Sequence, residues 1–219
     1  MTYADRRHAG DVLAQHLRAY AGRDDVIVLG LVRGGVPVAA RVATVLGVPL
    51  DVLVVRKLGV PWAPEVAFGA LGPGDVVVHN PEVEAHLAAG DVDAVVAAER
   101  AELARREARY RAGRGALDLT GKVAVIVDDG LATGATARAA VAVARRLGAT
   151  SVVVAVPVGA ADSVAQLRRE ADEVICPLEP EYFGAVSRFY RSFPQVSDGE
   201  VAGLLARATQ GPPDRPGAG

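Results

Sequence analysis

The sequence predicts an α/β fold, in which a twisted, mainly parallel β-sheet has helices on both of its faces. Four short apolar runs, rich in β-branched residues, lack the polar alternation of a half-exposed strand, which indicates strands buried on both sides. Helical stretches separate most of these runs, and right-handed βαβ connections would place the strands in parallel. The composition agrees, since 51% of the 219 residues are hydrophobic and only 5% are aromatic. The predicted strands are Val26–Leu31, Leu50–Val55, Val123–Val127 and Val152–Val158.

Four helices are predicted beside these strands. One precedes the first strand and should pack on one face of the sheet. Two others each end at a glycine, which commonly caps the C-terminus of a helix because it tolerates the left-handed conformation. The predicted helices span about Asp5–Tyr20, Val36–Leu46, Ala135–Leu147 and Ala161–Glu170.

Three segments interrupt the alternation within a single domain that is predicted to span residues 1–209. Residues 58–75 are rich in Gly and Pro and are predicted to form a flexible lid loop. Residues 81–112 are predicted to form a charged helical insertion. Residues 177–196 gather aromatic side chains in a chain that has few, which predicts a small C-terminal hood. Residues 210–219 are predicted to form a disordered tail.

Charge and cysteine content exclude several classes of partner. The net charge is −2, so no bulk attraction to nucleic acid or to a membrane is expected. In the helical insertion the acidic residues neutralise the arginines, which favours a solvated helix face over a nucleic-acid-binding arm. No apolar run approaches the ~20 residues of a membrane span, and the N-terminus lacks the pattern of a signal peptide. The single cysteine, Cys176, fits a reducing compartment, so a cytoplasmic protein is predicted.

The residues with the clearest chemistry lie in Val123–Thr136, where a buried strand, a turn of small residues and a helix follow one another. In an open α/β sheet, ligands bind beyond the carboxyl ends of the strands. Backbone N–H groups at the helix N-terminus can bind a phosphate, while Asp128 and Asp129 can accept hydrogen bonds from sugar hydroxyls. The segment therefore predicts a ribose 5-phosphate site. Its predicted residues are Asp128, Asp129, Ala132, Thr133, Gly134, Ala135 and Thr136.

Other ligand-binding motifs fit less well. The segment lacks the lysine of a P-loop, and the residues GLVRGG after the first strand have the wrong spacing for a dinucleotide-binding G-x-G-x-x-G turn. A pair of acids after a strand also suits a receiver-type acidic pocket, but the T-G-x-T that follows disfavours it. The four histidines show no metal-ligand spacing, so no metal site built from protein side chains is predicted.

The string VIVDDGLATGAT, which ends at Thr136, resembles the phosphoribosyl-pyrophosphate signature of the type I phosphoribosyltransferases. The resemblance extends over most of residues 5–205 and is strongest to a bacterial group whose acceptor is unassigned. It implies that Asp128 and Asp129 hold the ribose hydroxyls and that residues 132–136 enclose the 5-phosphate. The implied reaction transfers 5-phosphoribosyl from phosphoribosyl pyrophosphate to a small nitrogen-containing acceptor and releases pyrophosphate. Mg²⁺ is the implied cofactor, held mainly by substrate oxygens and water.

Two cationic segments at strand ends are predicted to bind the pyrophosphate. Arg33, Gly34 and Gly35 follow the first strand, where members of the family bind pyrophosphate, often beside a non-proline cis peptide; a tight strand-to-helix turn is the alternative. Arg56 and Lys57 end the second strand, and an arginine fork beside a compact ammonium group suits a leaving pyrophosphate. They could instead be two surface cations.

Lys57, Glu65, Asp128 and Asp129 are the predicted catalytic residues. The lid loop contains no further Lys or Arg, so Lys57 would act on the leaving group from this segment alone. Glu65 could exchange a proton with the acceptor nitrogen if the lid closes over the site. An exposed glutamate without a catalytic role fits the sequence equally well.

The sequence does not identify the acceptor. Family members that act on 6-oxopurines have an acidic residue at the position of Ala132, so a 6-oxopurine is disfavoured, and the string LATG resembles the adenine enzymes instead. In the hood, Tyr182 and Phe183 could stack on a planar acceptor, or they could belong to a small core. The alternatives for the whole chain are a regulator that binds phosphoribosyl pyrophosphate without catalysis, and a nucleotide hydrolase or phosphorylase. A homodimer is left open.

Overall fold

The structure is a computed structural model that describes residues 2–209; the predicted tail at 210–219 lies outside the described residues. The strands of this part are β1 (Val26–Leu31), β2 (Leu50–Leu53), β3 (Arg56–Val60), β4 (Ala63–Gly72), β5 (Val76–His79), β6 (Val123–Val127), β7 (Ser151–Ala155) and β8 (Glu173–Ile175). Five of them form one sheet in the order β2–β1–β6–β7–β8, and every neighbouring pair is parallel. The predicted α/β fold class is confirmed, and β1 and β6 have the predicted bounds.

Helices cover both faces of the parallel sheet. They are α1 (Arg6–His16), α2 (Gly35–Leu46), α3 (Pro81–Glu84), α4 (Ala89–Tyr110), α5 (Ala135–Arg146), α6 (Ala161–Leu167) and α7 (Asp198–Thr209). Alternate strand residues point to opposite faces. Val26 and Val28 pack in a core with α1, α2 and α7, whereas Leu29 and Leu31 pack in a second core with α5 and α6.

The structure corrects the prediction of a loop at residues 58–75. These residues form most of an antiparallel sheet with the order β3–β4–β5. A Cβ atom on Gly69 would lie 2.4 Å from the Val78 carbonyl oxygen, and one on Gly72 would lie 2.1 Å from Cγ1 of Val143. The glycines therefore permit the close approach of a neighbouring strand and of α5, and they do not mark a loop. The small sheet consequently packs on α5, the helix that follows the predicted phosphate-binding turn at residues 130–134, which is called the phosphate turn below.

The predicted helical insertion forms α3 and α4 and is joined to the sheets by ion pairs. Arg111, directly after α4, donates through Nη2 to Oδ2 of Asp51 in β2 at 2.9 Å, and both side chains are largely buried. Arg56 of β3 pairs with Glu99 of α4. The insertion is thus fixed against β2 of the parallel sheet and β3 of the small sheet. Among residues 2–209, no helix combines the length and the apolar character that crossing a membrane requires.

Candidate active site

The predicted ribose clamp, Asp128 with Asp129, lies at the carboxyl end of β6 and directly against the turn between β1 and α2. The Asp129 N–H donates to Oδ1 of Asp128 at 2.9 Å. A Cβ atom on Gly34 would lie 2.2 Å from Oδ2 of Asp129, and one on Gly35 would lie 2.5 Å from the Val127 carbonyl oxygen. Only glycine leaves room for this contact. The structure thus brings together two predicted segments that are far apart in the sequence.

Burial and mutual repulsion act on the two carboxyl groups of the clamp. Burial raises the pKa of Asp128 well above its usual range, and the adjacent Asp129 charge raises it further. Burial also raises the pKa of Asp129, although the Arg6 guanidinium opposes this shift by donating from Nε to Oδ2 at 2.8 Å. Two carboxylates in this setting are costly to keep charged, and hydroxyl donors from a bound diol would lower that cost.

The turn between β6 and α5 has the backbone geometry of an anion site. Gly134 adopts a left-handed conformation with φ 73° and ψ −3°, and α5 begins at Ala135 without a side-chain cap. The first N–H groups of the helix can therefore meet an anionic ligand. Thr133 and Thr136 are exposed beside them and can add hydroxyl donors.

The segment after β7, including the start of α6, holds this turn in place by hydrogen bonds. The Leu131 N–H donates to the Val158 carbonyl oxygen at 2.9 Å, and the Ala160 N–H donates to the Leu131 carbonyl oxygen at 2.8 Å. The Ser163 hydroxyl donates to the Ala132 carbonyl oxygen at 2.6 Å. The turn is therefore shaped before a ligand arrives, and Ser163 is a contributor that the sequence did not indicate.

Two clefts adjoin the β1–α2 turn, and the first, called the β3 cleft, is lined by the cations that end the second predicted strand. Its lining includes Val32, Arg56, Lys57, Arg106 and Thr136. Arg56 and Lys57 thus line the same cleft as Thr136, the last predicted residue of the ribose 5-phosphate site. Arg106 was not predicted here, because in the sequence it is the helical partner of Glu102, with which it pairs at 2.6 Å.

The second cleft, called the hood cleft, adjoins the β1–α2 turn at Arg33 and Gly34. Its lining includes Arg6, Arg33, Asp128, Asp129, Val186, Phe193 and Gln195. Arg33, predicted to act with Arg56 and Lys57, lines this cleft instead, and its Nη1 is 3.8 Å from Oδ1 of Asp198. The peptide bond between Val32 and Arg33 is cis, as the resemblance implied.

The aromatic residues of the hood mostly form a core of their own. Phe183 packs on Phe189 with ring centroids 5.5 Å apart, whereas 86% of Tyr182 is exposed. Neither of these two predicted acceptor contacts belongs to the lining of the hood cleft. Val186 and Phe193 supply apolar surface there, and Val186 packs on the turn so closely that a Cβ atom on Gly130 would lie 2.6 Å from it.

Two further predictions concern the catalytic role of Glu65 and metal-binding side chains. Glu65 belongs to β4 by its backbone, but its side chain lies outside the described residues, so its role stays a prediction. Within the described part of the chain, no group of three or more His, Cys, Asp or Glu side chains is arranged to hold a metal ion.

Known proteins resemble this chain over most of its length. A family model described as "Phosphoribosyl transferase domain" matches residues 4–192. Proteins named "Putative phosphoribosyl transferase" in the CDC 1551 and H37Rv strains of Mycobacterium tuberculosis are 55% identical over 208 residues, which is 94% of this chain. This chain spans only 47% of the length of those relatives.

A solved structure shows the same arrangement of elements. The protein TT1426 from Thermus thermophilus is 42% identical and superposes with a TM-score of 0.88 over 94% of this chain and 99% of that chain. The matched family region contains the β3 cleft, the clamp, the turn at residues 130–134 and most of the hood, and the hood cleft as far as Val186. The chain therefore belongs to the phosphoribosyl transferase domain family.

Proposed function

We propose that this chain transfers the 5-phosphoribosyl group of phosphoribosyl pyrophosphate to a nitrogen acceptor and releases pyrophosphate. The observation that supports this reaction is the convergence of three binding elements around the β1–α2 turn. They are the paired carboxylates, the uncapped N-terminus of α5 and the cations of the β3 cleft. In that order they suit a ribose diol, a 5-phosphate and a pyrophosphate.

In the proposed mechanism the protein positions the substrate and stabilises the departing charge. Asp128 and Asp129 accept hydrogen bonds from the ribose hydroxyls, and residues 132–136 bind the 5-phosphate through backbone N–H and hydroxyl groups. Positive charge develops at the anomeric carbon while negative charge grows on the leaving pyrophosphate. Arg56 and Lys57, with Arg106 nearby, offset that negative charge.

Magnesium enters this proposal as an ion that arrives with the substrate. The charged side chains that line the β3 cleft are mainly cations, and the one acidic residue among the described residues of its lining, Glu99, is paired with Arg56. Such a donor set suits Mg²⁺ only if pyrophosphate oxygens and water supply its ligands. When bound, the ion would neutralise pyrophosphate oxygens and so favour their departure.

The hood cleft is the proposed place of the acceptor, which we expect to be a planar nitrogen heterocycle other than a 6-oxopurine. Val186 and Phe193 offer apolar surface next to the clamp, and Ala132 has no acidic side chain to pair with an oxopurine. Because the chain spans about half of its curated relatives, the acceptor and partners of those longer proteins need not be those of this chain. A cytoplasmic location stays part of the proposal, supported by the single cysteine.

Lys57→Ala tests the catalytic part of the proposal. Charge on the leaving group grows as its bond to ribose breaks, so Lys57 should stabilise the transition state more than the bound substrate. We expect kcat to fall by roughly a hundredfold while the Kd for phosphoribosyl pyrophosphate rises by less than about tenfold. Pyrophosphate release and calorimetric titration, both with Mg²⁺ and a panel of bases, measure the two quantities.

Lys122→Ala is the matched control, because Lys122 donates to the Asp24 carbonyl oxygen at 3.0 Å and lines neither cleft. It should leave both quantities unchanged. The catalytic proposal fails if the unmodified protein binds phosphoribosyl pyrophosphate and Mg²⁺ yet releases no pyrophosphate with any purine, pyrimidine or smaller nitrogen heterocycle. That outcome would identify a regulator.

A further inference from the structure

The hood is built from both ends of the described chain. The Tyr3 N–H donates to the Phe189 carbonyl oxygen at 2.8 Å, and the Arg191 N–H donates to the Tyr3 carbonyl oxygen at 2.9 Å. The Tyr3 ring is fully buried and packs on Tyr190 with centroids 5.5 Å apart. This pairing fixes the start of α1, so that Arg6, the first residue of the helix, lies beside the clamp.

Arg6 makes three contacts that join the hood to the clamp. Its Nε donates to Oδ2 of Asp129 at 2.8 Å, and its Nη1 donates to the Pro194 carbonyl oxygen at 2.7 Å. Its guanidinium carbon lies 3.7 Å from the centroid of the Phe193 ring, which is a cation–π contact. Only 10% of the side chain is exposed. The ion pair is therefore screened by water far less than one on the open surface.

The charges around Asp129 show why this ion pair is needed. Asp128 follows β6 beside it and repels its charge. Arg33, on the β1–α2 turn, lines the same cleft but forms its ion pair elsewhere. From the hood, the Tyr190 hydroxyl donates to the Asp129 carbonyl oxygen at 2.6 Å, and burial raises the pKa of that hydroxyl, so it stays neutral. Among the described residues, Arg6 is thus the cation in direct contact with the Asp129 carboxylate.

We propose that Arg6 is a positioning residue of the ribose site, which keeps the Asp129 carboxylate ionised and correctly placed for the ribose hydroxyls. The inference rests on the proposed function, since it assigns the clamp to ribose. Arg6 acts through Asp129 and has no need to contact the substrate. The N-terminal segment, which contains no part of the signature string, thereby becomes part of the substrate site.

Two substitutions separate the charge of Arg6 from its packing. Arg6→Met keeps an apolar stem against Phe193 and removes the charge, whereas Arg6→Lys keeps the charge. Arg7→Met is the control, because Arg7 is the next residue in α1 and is exposed. The Kd for phosphoribosyl pyrophosphate with Mg²⁺ would be measured by calorimetry over a range of pH.

We expect Arg6→Met to weaken binding roughly tenfold near neutral pH, as the loss of one well-placed charge-assisted hydrogen bond to the clamp implies. Without the cation the pKa of Asp129 should rise further, so the acid limb of the affinity profile should move to higher pH. Arg6→Lys should restore most of the affinity and of the profile. Arg7→Met should match the unmodified protein. Coincident profiles for Arg6→Met and the unmodified protein would overturn the inference, as would equal losses in Arg6→Met and Arg6→Lys.

A measurement without ligand distinguishes this inference from the proposed function. The ¹³C signal of the Asp129 carboxyl group, identified with Asp129→Asn, is followed by NMR through a pH titration in the unmodified protein and in Arg6→Met. A higher titration midpoint in the variant supports the role of Arg6, even if the protein fails to bind phosphoribosyl pyrophosphate and the proposed function is lost. Equal midpoints overturn the inference, whatever the protein binds.

Discussion

Asp128→Asn combined with Asp129→Asn is expected to weaken the binding of phosphoribosyl pyrophosphate by roughly two to four orders of magnitude. Each amide presents one neutral acceptor oxygen in place of two charged ones, so two charge-assisted hydrogen bonds to the ribose hydroxyls, each of about 1.5–3 kcal/mol, would be lost. The clamp is also half-buried against the β1–α2 turn, where water replaces a lost partner poorly. Calorimetric titration in the presence of Mg²⁺ measures the change.

A charge-matched control comes from α4. Asp91→Asn combined with Asp93→Asn also removes two negative charges, but both residues are exposed and neither lines the two clefts. The control should bind as tightly as the unmodified protein. Equal affinity in the clamp variant and in this control would show that the ribose binds elsewhere.

Asp128→Asn alone is expected to raise the melting temperature of the ligand-free protein at about pH 8, a range in which free carboxyl groups are ionised. The pKa of Asp128 in the folded protein lies above its unfolded value because of burial and the Asp129 charge. A carboxyl group shifted in this direction favours the folded state at low pH, and that contribution is lost as pH rises through the folded pKa. Asparagine does not titrate and so does not lose this contribution at high pH. The difference in melting temperature between the variant and the unmodified protein should therefore shrink as the pH is lowered. A gain that is independent of pH would contradict the assignment of the raised pKa.

Gly134→Val is expected to abolish the protection that ribose 5-phosphate gives against thermal unfolding. Gly134 has a φ of 73°, which a β-branched residue adopts only with strain, and it directly precedes the uncapped start of α5, where we propose that the 5-phosphate binds. Either the turn changes shape or the new side chain occupies the anion site. The measurement is the melting temperature with and without the ligand.

Gly121→Val separates backbone strain from loss of the site. Gly121 has the same φ of 73°, and a Cβ atom there would meet no atom within 4 Å. Both variants should lose about 1–2 kcal/mol of stability from the left-handed conformation, but only Gly134→Val should lose the response to ribose 5-phosphate. If both variants retain that response, the phosphate does not bind at this turn.

Local sequence patterns were enough to predict the centre of the molecule. β1 and β6 are continuous apolar runs, so their burial could be predicted without knowing which elements pack on them. The turn after β6 could be predicted because its two acids and its small residues are consecutive in the sequence. The small sheet could not be predicted in this way. The glycines at 69 and 72 read as loop signals because the strand and helix that approach them are remote in sequence.

The residues of the candidate site that the sequence did not indicate were missed for a related reason, because local sequence patterns do not show their contacts in the fold. Arg6 contacts Asp129, and the Tyr190 hydroxyl contacts the same residue from the hood, across long stretches of chain. Arg106 lies in a helix whose charges satisfy one another locally, so its sequence gives no sign of a second role. Residues of this kind are found only when the fold has brought distant segments together.

The pairing of Tyr3 with residues 189–191 has a consequence for the synthesis of the protein on the ribosome. The first helix emerges early, whereas the segment that holds it in place is almost the last of the described chain to be made. β1, β2 and β6 can pair well before that point. The ribose clamp acquires its full set of neighbours only when the hood segment returns to the N-terminus, a contact of very long range that is expected to form late. A nascent chain that stops just short of the hood would therefore contain all the described strands of both sheets but an incomplete candidate site.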